Sequence, residues 1–368
     1  MEQLSYVINT IKKMKEQRDR NWQWWTAKIT LLLLVFSMGC SGSREVAIIS
    51  SGKNYSDRGT YRNHVNSGLI RTQIEEGFRS VLRIQNNVIY RTYQFYLDDL
   101  PLESEVRGQD LEEISAQSYL DDQATAGTAI VLTNHRGKYA LLTAAHTVFY
   151  PDTIWHYQDD SPDPDNPFVE AVSVRQSVNH FVIMENGIVR LDLAVHDSNR
   201  DLAIMTNSNR LSANMMTPLA IPLGNSEQLD WGDLVYALGY PKGAKMVTMG
   251  TASRSNHPNR SILIDASFNR GFSGGALFAV RNDGSGLRWM GVVTSALGEN
   301  ETYLTPESTE VEDFDPEVPY TGDLFVRSTP RINYGITNAI AINEIMEFFR
   351  ENEEQINDSG IVIPTMQN

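Results

Sequence analysis

The 368 residues contain one cysteine, Cys40, so no intrachain disulfide can form and packing alone must hold the fold. Positive charge is scarce: Lys and Arg total 31 against 46 Asp and Glu, a net charge of -15. That balance argues against nucleic acid and anionic membrane surfaces as partners. A long apolar span is also missing at the N-terminus, where the uncharged run Ile29–Ser43 falls short of the ~20 residues a spanning helix needs. There is no internal repeat and no strand–helix–strand rhythm, which excludes solenoids and parallel α/β architectures. The rest of the composition is that of a folded globular chain long enough for a sizeable core.

What is present begins with that N-terminal segment. Lys12, Lys13, Lys15, Arg18, Arg20 and Lys28 outnumber Glu2, Glu16 and Asp19, and the apolar stretch from Ile29 ends in Ser37-Met38-Gly39-Cys40. A basic region, a short apolar region and small residues read as an export signal. The stretch resembles a bacterial lipoprotein signal with Cys40 as the acylated residue, although Ser37 stands where Leu is usual. An uncleaved anchor with Trp22, Trp24 and Trp25 at the interface is the competing reading, and a plain buried segment the third. The first two readings place the bulk of the chain outside the cytoplasm.

Residues 41–74 are polar and read as a tether, with Ile70, Ile74 and Phe78 at helical spacing around its end. Ser80–Ile84 and Val88–Phe95 read as strands, and Leu97–Asp122 as acidic loop. Short strands then follow in quick succession: Thr128–Leu132, Tyr139–Thr143, Ile188–Val195, Leu202–Met205, Leu234–Leu238, Lys245–Met249, Ser261–Ile264, Gly275–Val280 and Trp289–Thr294. Asn134-His135-Arg136-Gly137 marks a hairpin turn between the first two. The pattern predicts an all-β barrel architecture. Ile342, Ile345, Met346 and Phe349 predict a closing helix, with Asn343 as its cap, and residues 351–368 a tail.

Three short motifs carry chemistry. Thr143-Ala144-Ala145-His146, Asp201-Leu202-Ala203-Ile204-Met205 and Gly271-Phe272-Ser273-Gly274-Gly275 occur in the order His, Asp, Ser. A serine hydroxyl is a weak nucleophile at neutral pH and needs a base, and the base needs a carboxylate to fix its tautomer. His146 is the candidate base, Asp201 the orienting carboxylate and Ser273 the nucleophile. The glycines let the backbone turn the amides of Gly271 and Ser273 toward a developing oxyanion. Asp192-Leu193-Ala194-Val195 mimics the Asp201 motif but lies inside a strand pattern, whereas Asp197-Ser198-Asn199-Arg200 before Asp201 is a turn.

These motifs resemble trypsin-like serine proteases, and their flanks resemble the HtrA (Deg) branch. Ile264–Leu277 is similar to that branch's nucleophile segment, Asp197–Met205 to its Asp-x-x-x-Asp-(Leu/Ile)-Ala pattern, and Gly232–Pro241 to its Gly-Asp-x-Val-x-Ala-Ile-Gly-x-Pro strand. Met290–Thr294 and Tyr334–Ile342 are similar to its closing strands. Arg270 and Phe272 depart from the branch's Pro and Asn. The resemblance implies two six-stranded antiparallel β-barrels of the chymotrypsin fold over residues 75–350, with a C-terminal helix and a cleft between barrels. It implies no cofactor or metal, a polypeptide substrate, and no zymogen of the trypsin kind. Only 18 residues follow Arg350, so no PDZ domain is expected there.

The same resemblance places Ser267 at the base of the S1 pocket and Thr294, Ser295 and Ala296 on its wall. Ser267 in place of Asp disfavours an Arg or Lys substrate residue, and no His follows His257 to recognise Glu. Small or medium apolar residues are the expectation. Glu299–Arg327 holds nine carboxylates and is read as a solvated insertion or as an acidic lid that steers basic peptides; Asp159, Asp160, Asp163 and Asp165 lack the Gly and final Glu of a calcium loop. The expected protein is a serine endopeptidase of the bacterial envelope, periplasm-facing and tethered through its N-terminus, with homo-oligomers possible. The rival readings are a protease-fold protein that binds peptides or partners with little cleavage, and a tethered structural scaffold. Cys40→Ser is expected to leave the precursor uncleaved or release it from membranes; an intact Met1 on the mature wild-type protein would favour the anchor.

Overall fold

The structure, a computed structural model, describes residues 68–158, 163, 165–184, 187–253, 261–306 and 324–363, with backbone only between 295 and 336. All of them fall within one unit, Arg62–Asn368. The export-type segment, Cys40 and the polar stretch up to Ser67 lie outside the described residues, as do the acidic side chains of Glu299–Asp323.

Helix α1 (Gly68–Ser80) leads into β1 (Val81–Gln94). Short helices α2 (Glu103–Val106) and α3 (Leu111–Ile114) precede β2 (Gln117–His135) and β3 (Lys138–Ala144). A single helical turn, α4 (Ala145–Val148), is followed by β4 (Thr153–Tyr157), β5 (Val169–Met184), β6 (Gly187–Asp197) and β7 (Leu202–Asn207). These strands form one sheet in the order β1-β2-β3-β7-β6-β5-β4, and β1 also pairs with β5. Six strands therefore close on themselves, with β4 attached outside β5. The second sheet holds β8 (Leu234–Gly239), β9 (Met246–Ser253), β10 (Ser261–Asp265), β11 (Ala276–Val280), β12 (Leu287–Pro306) and β13 (Leu324–Ala341). It is a closed barrel in the order β10-β13-β12-β11-β8-β9. Every pairing between these strands is antiparallel. The architecture is the two-barrel chymotrypsin-like fold, closed by α5 (Ile342–Glu351) and α6 (Glu353–Asp358).

Strand alternation explains where the core sits. Ala129, Val131, Tyr139, Leu141, Ala203 and Met205 pack together on one face of β2, β3 and β7. Their neighbours Ile130, Ala140, Leu142, Leu202 and Ile204 project from the other face into a second cluster. The second barrel divides in the same way: Val235, Ala237, Leu277 and Ala279 join one cluster, and Tyr236, Leu238, Ala276 and Phe278 the other. The cluster shared by both barrels also takes Ile345 and Phe348 from α5 and Ile356 from α6. Strands apolar on both faces are thus what joins the barrels, because successive side chains point to opposite sides. The β2–β3 hairpin turns through Arg136 and Gly137 at φ 53° and 83°, the two left-handed residues a tight hairpin requires.

Ordered packing reaches beyond the expected boundaries. Helix α1 starts at Gly68 and buries Ile70, so packing begins inside the stretch read as tether. At the other end Ile356 and Ile361 are buried and Thr133 Oγ1 donates to the Val362 carbonyl at 2.8 Å, so residues 351–363 are not a free tail. Asn343 does not cap α5. Ala341 holds the cap position without a side-chain bond, and Asn343 Nδ2 instead reaches Glu227 Oε1 at 3.3 Å.

Barrel one carries a buried polar pair. Asn86 on β1 faces His180 on β5 in register. His180 Nδ1 donates to Asn86 Oδ1 at 2.8 Å, and Asn86 Nδ2 donates to the Thr147 carbonyl at 2.6 Å. Burial lowers the His180 pKa from 6.5 to about 4; nearby Asp192 opposes the shift, and Arg175 and Arg190 reinforce it. The unfolded chain therefore binds the proton first as pH falls from 6.5 toward 4, and stability drops across that window. A shift of this size is worth about 3 kcal/mol between pH 7 and 4. Urea unfolding at both values should show a pH dependence about 3 kcal/mol steeper in the wild type than in His180→Gln; parallel curves would refute the assignment.

Candidate active site

His146 stands on α4, directly after β3. Ala144 and Ala145 are buried and small, which lets the chain turn tightly and leaves the imidazole partly exposed. Asp201 lies at the end of the β6–β7 turn with φ 56°, a left-handed conformation Asp tolerates better than most residues. Asp197 Oδ1 starts that turn by accepting the amides of Asn199 at 2.9 Å and Arg200 at 3.0 Å. Arg200 then ties the turn to α5: Nη1 and Nη2 donate to the Glu351 carboxylate at 2.5 and 3.0 Å, and Nε lies 3.5 Å from Glu344 Oε2. Burial alone would raise the Asp197 pKa, but the Arg200 and Asn199 amides and the Arg200 guanidinium outweigh it and lower it.

The result is a two-point grip on His146. Asp201 Oδ1 accepts the His146 amide at 2.8 Å, and Oδ2 lies 2.7 Å from the ring Nδ1. The Asp201 carbonyl accepts the Ala145 amide at 3.1 Å. With the Nδ1 proton directed at Asp201, Nε2 keeps its lone pair. Asp192 is exposed on β6 and accepts the Ser208 hydroxyl at 2.8 Å, away from His146.

The segment from Gly271 to Gly275 connects toward β11. Gly271 has φ 103°, and a Cβ there would meet the Tyr240 carbonyl at 2.5 Å; Gly274 has φ 85°, and a Cβ would meet the Thr128 carbonyl at 1.9 Å. Only glycine fits either position. Among the described residues, the Gly271 and Ser273 amides donate to no protein acceptor, which leaves both available to an anion. Ser273 Oγ donates to the Thr294 carbonyl at 2.5 Å, and no bond joins it to His146. Both side chains nevertheless line one cleft of about 520 Å³, with Thr147, Lys242, Phe268, Arg270 and Thr294 among its walls.

Phe272 does not disturb this loop but anchors it. Its side chain is 1% exposed, packs tilted on Phe268 with centroids 5.1 Å apart, and fills the second barrel's cluster. Among the residues expected around S1, Thr294 lines the cleft, while Ser267 is exposed and absent from its lining. The alternation past β10 buries Ala266 and Phe268 and turns Ser267 out, so Phe268 occupies the wall instead. Ser295 and Ala296 belong to the backbone of β12, and their side chains lie outside the described residues. Among the described residues no cluster of three His, Cys, Asp or Glu is placed to hold a metal.

The residue that motif reading missed is Thr128. It is fully buried on β2 of the first barrel, yet it holds the loop of the second. Its amide donates to the Ser273 carbonyl at 2.8 Å and its Oγ1 to the Gly271 carbonyl at 2.6 Å, while Oγ1 accepts the Tyr240 amide at 3.0 Å. Its carbonyl accepts Thr143 Oγ1 at 2.7 Å, three residues before His146. A buried threonine in a strand has no sequence signal that separates it from ordinary packing. Thr128→Val keeps the shape but removes the hydroxyl's bonds to the Gly271 carbonyl and the Tyr240 amide, so it should cost about 1–3 kcal/mol. Urea unfolding should show that loss, with Thr128→Ser recovering most of it; equal stability of Val and wild type would contradict the clamp.

A search of curated proteins finds no match to this chain. Residues 127–286 match the family model described as a trypsin-like peptidase domain. The matched span takes in Thr128, His146, Asp201 and Ser273, and it supports a place for this domain in the trypsin-like serine protease superfamily.

Proposed function

We propose that the chain is a serine endopeptidase in which His146, Asp201 and Ser273 act together. The observation that carries this reading is the two-point grip of Asp201 on His146 in a cleft that also holds Ser273. On substrate binding Ser273 Oγ leaves the Thr294 carbonyl and turns to His146 Nε2. Oγ attacks the scissile carbonyl carbon as Nε2 takes its proton, and the carbonyl π electrons move onto oxygen. The Gly271 and Ser273 amides receive that oxyanion. Its collapse expels the amine, protonated by Nε2, and leaves an acyl-enzyme. Water, deprotonated by Nε2, then attacks the ester and frees Ser273. Asp201 holds the tautomer and stabilises the transient imidazolium throughout.

The resemblance of the flanking segments to HtrA proteases supports unfolded or misfolded polypeptides as the substrate. The export-type segment ending at Cys40 supports a place in the bacterial envelope, tethered at the N-terminus. A second reading, a peptide-binding protein with little cleavage, is favoured by one observation, the Ser273 hydroxyl resting on Thr294 instead of on His146. A fluorophosphonate separates the two, because only an activated serine is phosphonylated. Labelling at Ser273 is expected and should vanish in Ser273→Ala. Asp201→Asn should lower kcat/KM on the order of 10⁴-fold while Asp192→Asn leaves it near wild type. An unlabelled wild type favours the binding protein, and the reverse ranking of the two aspartates overturns the assignment of the carboxylate.

A further inference from the structure

The cleft has a charge of its own, opposite to that of the chain. Among the described residues, two exposed bases, Lys242 and Arg270, stand in its wall beside His146 and Ser273, and no carboxylate does. The placement is built in. Lys242 has a left-handed φ of 50°, unusual for a residue with a Cβ. Three backbone bonds hold it there: Lys242 N–H to the Arg270 carbonyl at 3.1 Å, Gly243 N–H to Tyr240 at 3.0 Å and Ala244 N–H to Pro241 at 3.0 Å. The first of these couples the two basic residues directly. Gly271 packs closely against this turn, with a would-be Cβ 3.3 Å from the Lys242 nitrogen.

A third cation backs the pair. A Cβ on Gly243 would lie 2.9 Å from both Cζ and Nη1 of Arg83, so that guanidinium sits against the residue after Lys242. Arg83 Nε is buried without an acceptor. Arg107, Arg175, Arg200 and Arg281 each meet a carboxylate, whereas among the described residues Arg136 and Arg210, away from the cleft, meet none. Among the described residues, Arg83, Lys242 and Arg270 meet none. Cations without carboxylate partners around one cleft raise the local positive potential there. An anion arriving in the cleft is attracted by it. An ammonium beside a guanidinium fork suits a carboxylate, and the water that a substrate displaces strengthens the attraction.

We propose that Lys242 and Arg270, backed by Arg83, form a carboxylate-binding subsite that selects peptides with an Asp or Glu beside the scissile bond. The proposal rests on the peptidase reading above and names its substrate class. The carboxylate can come from an acidic side chain or from a chain terminus, and the side chain is the source proposed, because an endopeptidase cleaves within a chain.

The test uses end-blocked peptides in matched pairs, Glu against Gln and Asp against Asn, at each position from three residues before the bond to three after it. At one position the acidic peptide should be cleaved about tenfold better in kcat/KM, roughly the worth of one charge-assisted contact. That ratio should fall as salt rises. It should approach one in Lys242→Met/Arg270→Gln and favour Lys-bearing peptides in Lys242→Glu/Arg270→Glu. Because each ratio is read within one protein, damage to the loop cancels. The same pairs are also bound to Ser273→Ala. Absence of cleavage with a retained Glu/Gln ratio in Kd overturns the peptidase reading alone. A ratio near one in both measurements overturns the subsite. A gain confined to peptides with a free C-terminal carboxylate overturns the side-chain source.

Discussion

Everything at this site hangs on Thr128. His146 and Asp201 belong to the first barrel and Ser273 to the second, so their relation is set by whatever joins the two. Apolar packing between barrels supplies most of the adhesion but little direction, since hydrophobic contact is not oriented. Thr128 supplies the direction. Its amide and hydroxyl hold the carbonyls of Ser273 and Gly271, and its own carbonyl receives Thr143 from the strand that leads into His146. One buried residue thus bonds to both halves of the proposed catalytic machinery. Gly274 exists as glycine for the same reason, because the Thr128 carbonyl occupies the space a Cβ would need.

Around that clamp, each of the three residues proposed to react has its own support. Asp201 is fixed through the Asp197 turn and through Arg200 to the C-terminal helix, so a helix that follows the second barrel steadies a turn of the first. The His146 turn is further held by Asn86, which bonds the Thr147 carbonyl and is itself bonded by His180. Phe272 sinks into the second barrel and fixes the nucleophile loop from below. The Ser273 side chain rests on the Thr294 carbonyl, and the proposed mechanism has it turn to His146.

The turn chemistry and glycine requirements around His146, Asp201 and Ser273 leave local marks in the sequence, and the structure places Asp201 on His146 while Asp192 lies inside β6, as its pattern suggests. Most barrel strands were legible from alternation and punctuation. Strands β4 and β5 were not assigned, and the short helices α2 and α3 sit where only loop was read. Two expected strands at Ser80–Ile84 and Val88–Phe95 are one, because Asn86 and Asn87, polar interruptions in the pattern, are accommodated within β1, Asn86 by the bond to His180 across the barrel. Partners like these lie tens of residues away, as do Thr128 for Gly271, Glu351 for Arg200 and Gly243 for Arg83. No window along the chain shows them. Ser267, which the family resemblance places at the base of S1, is turned outward by local alternation, a feature of this segment that the resemblance does not carry.

In the proposed mechanism Ser273, activated through His146, becomes acylated during turnover. Acid quenching during hydrolysis of an activated ester, followed by mass spectrometry of the peptides, measures this directly. A transient acyl group on Ser273 that builds in a burst and is absent from His146→Ala is the expected result. Hydrolysis without that adduct, or an adduct on another residue, would contradict the mechanism.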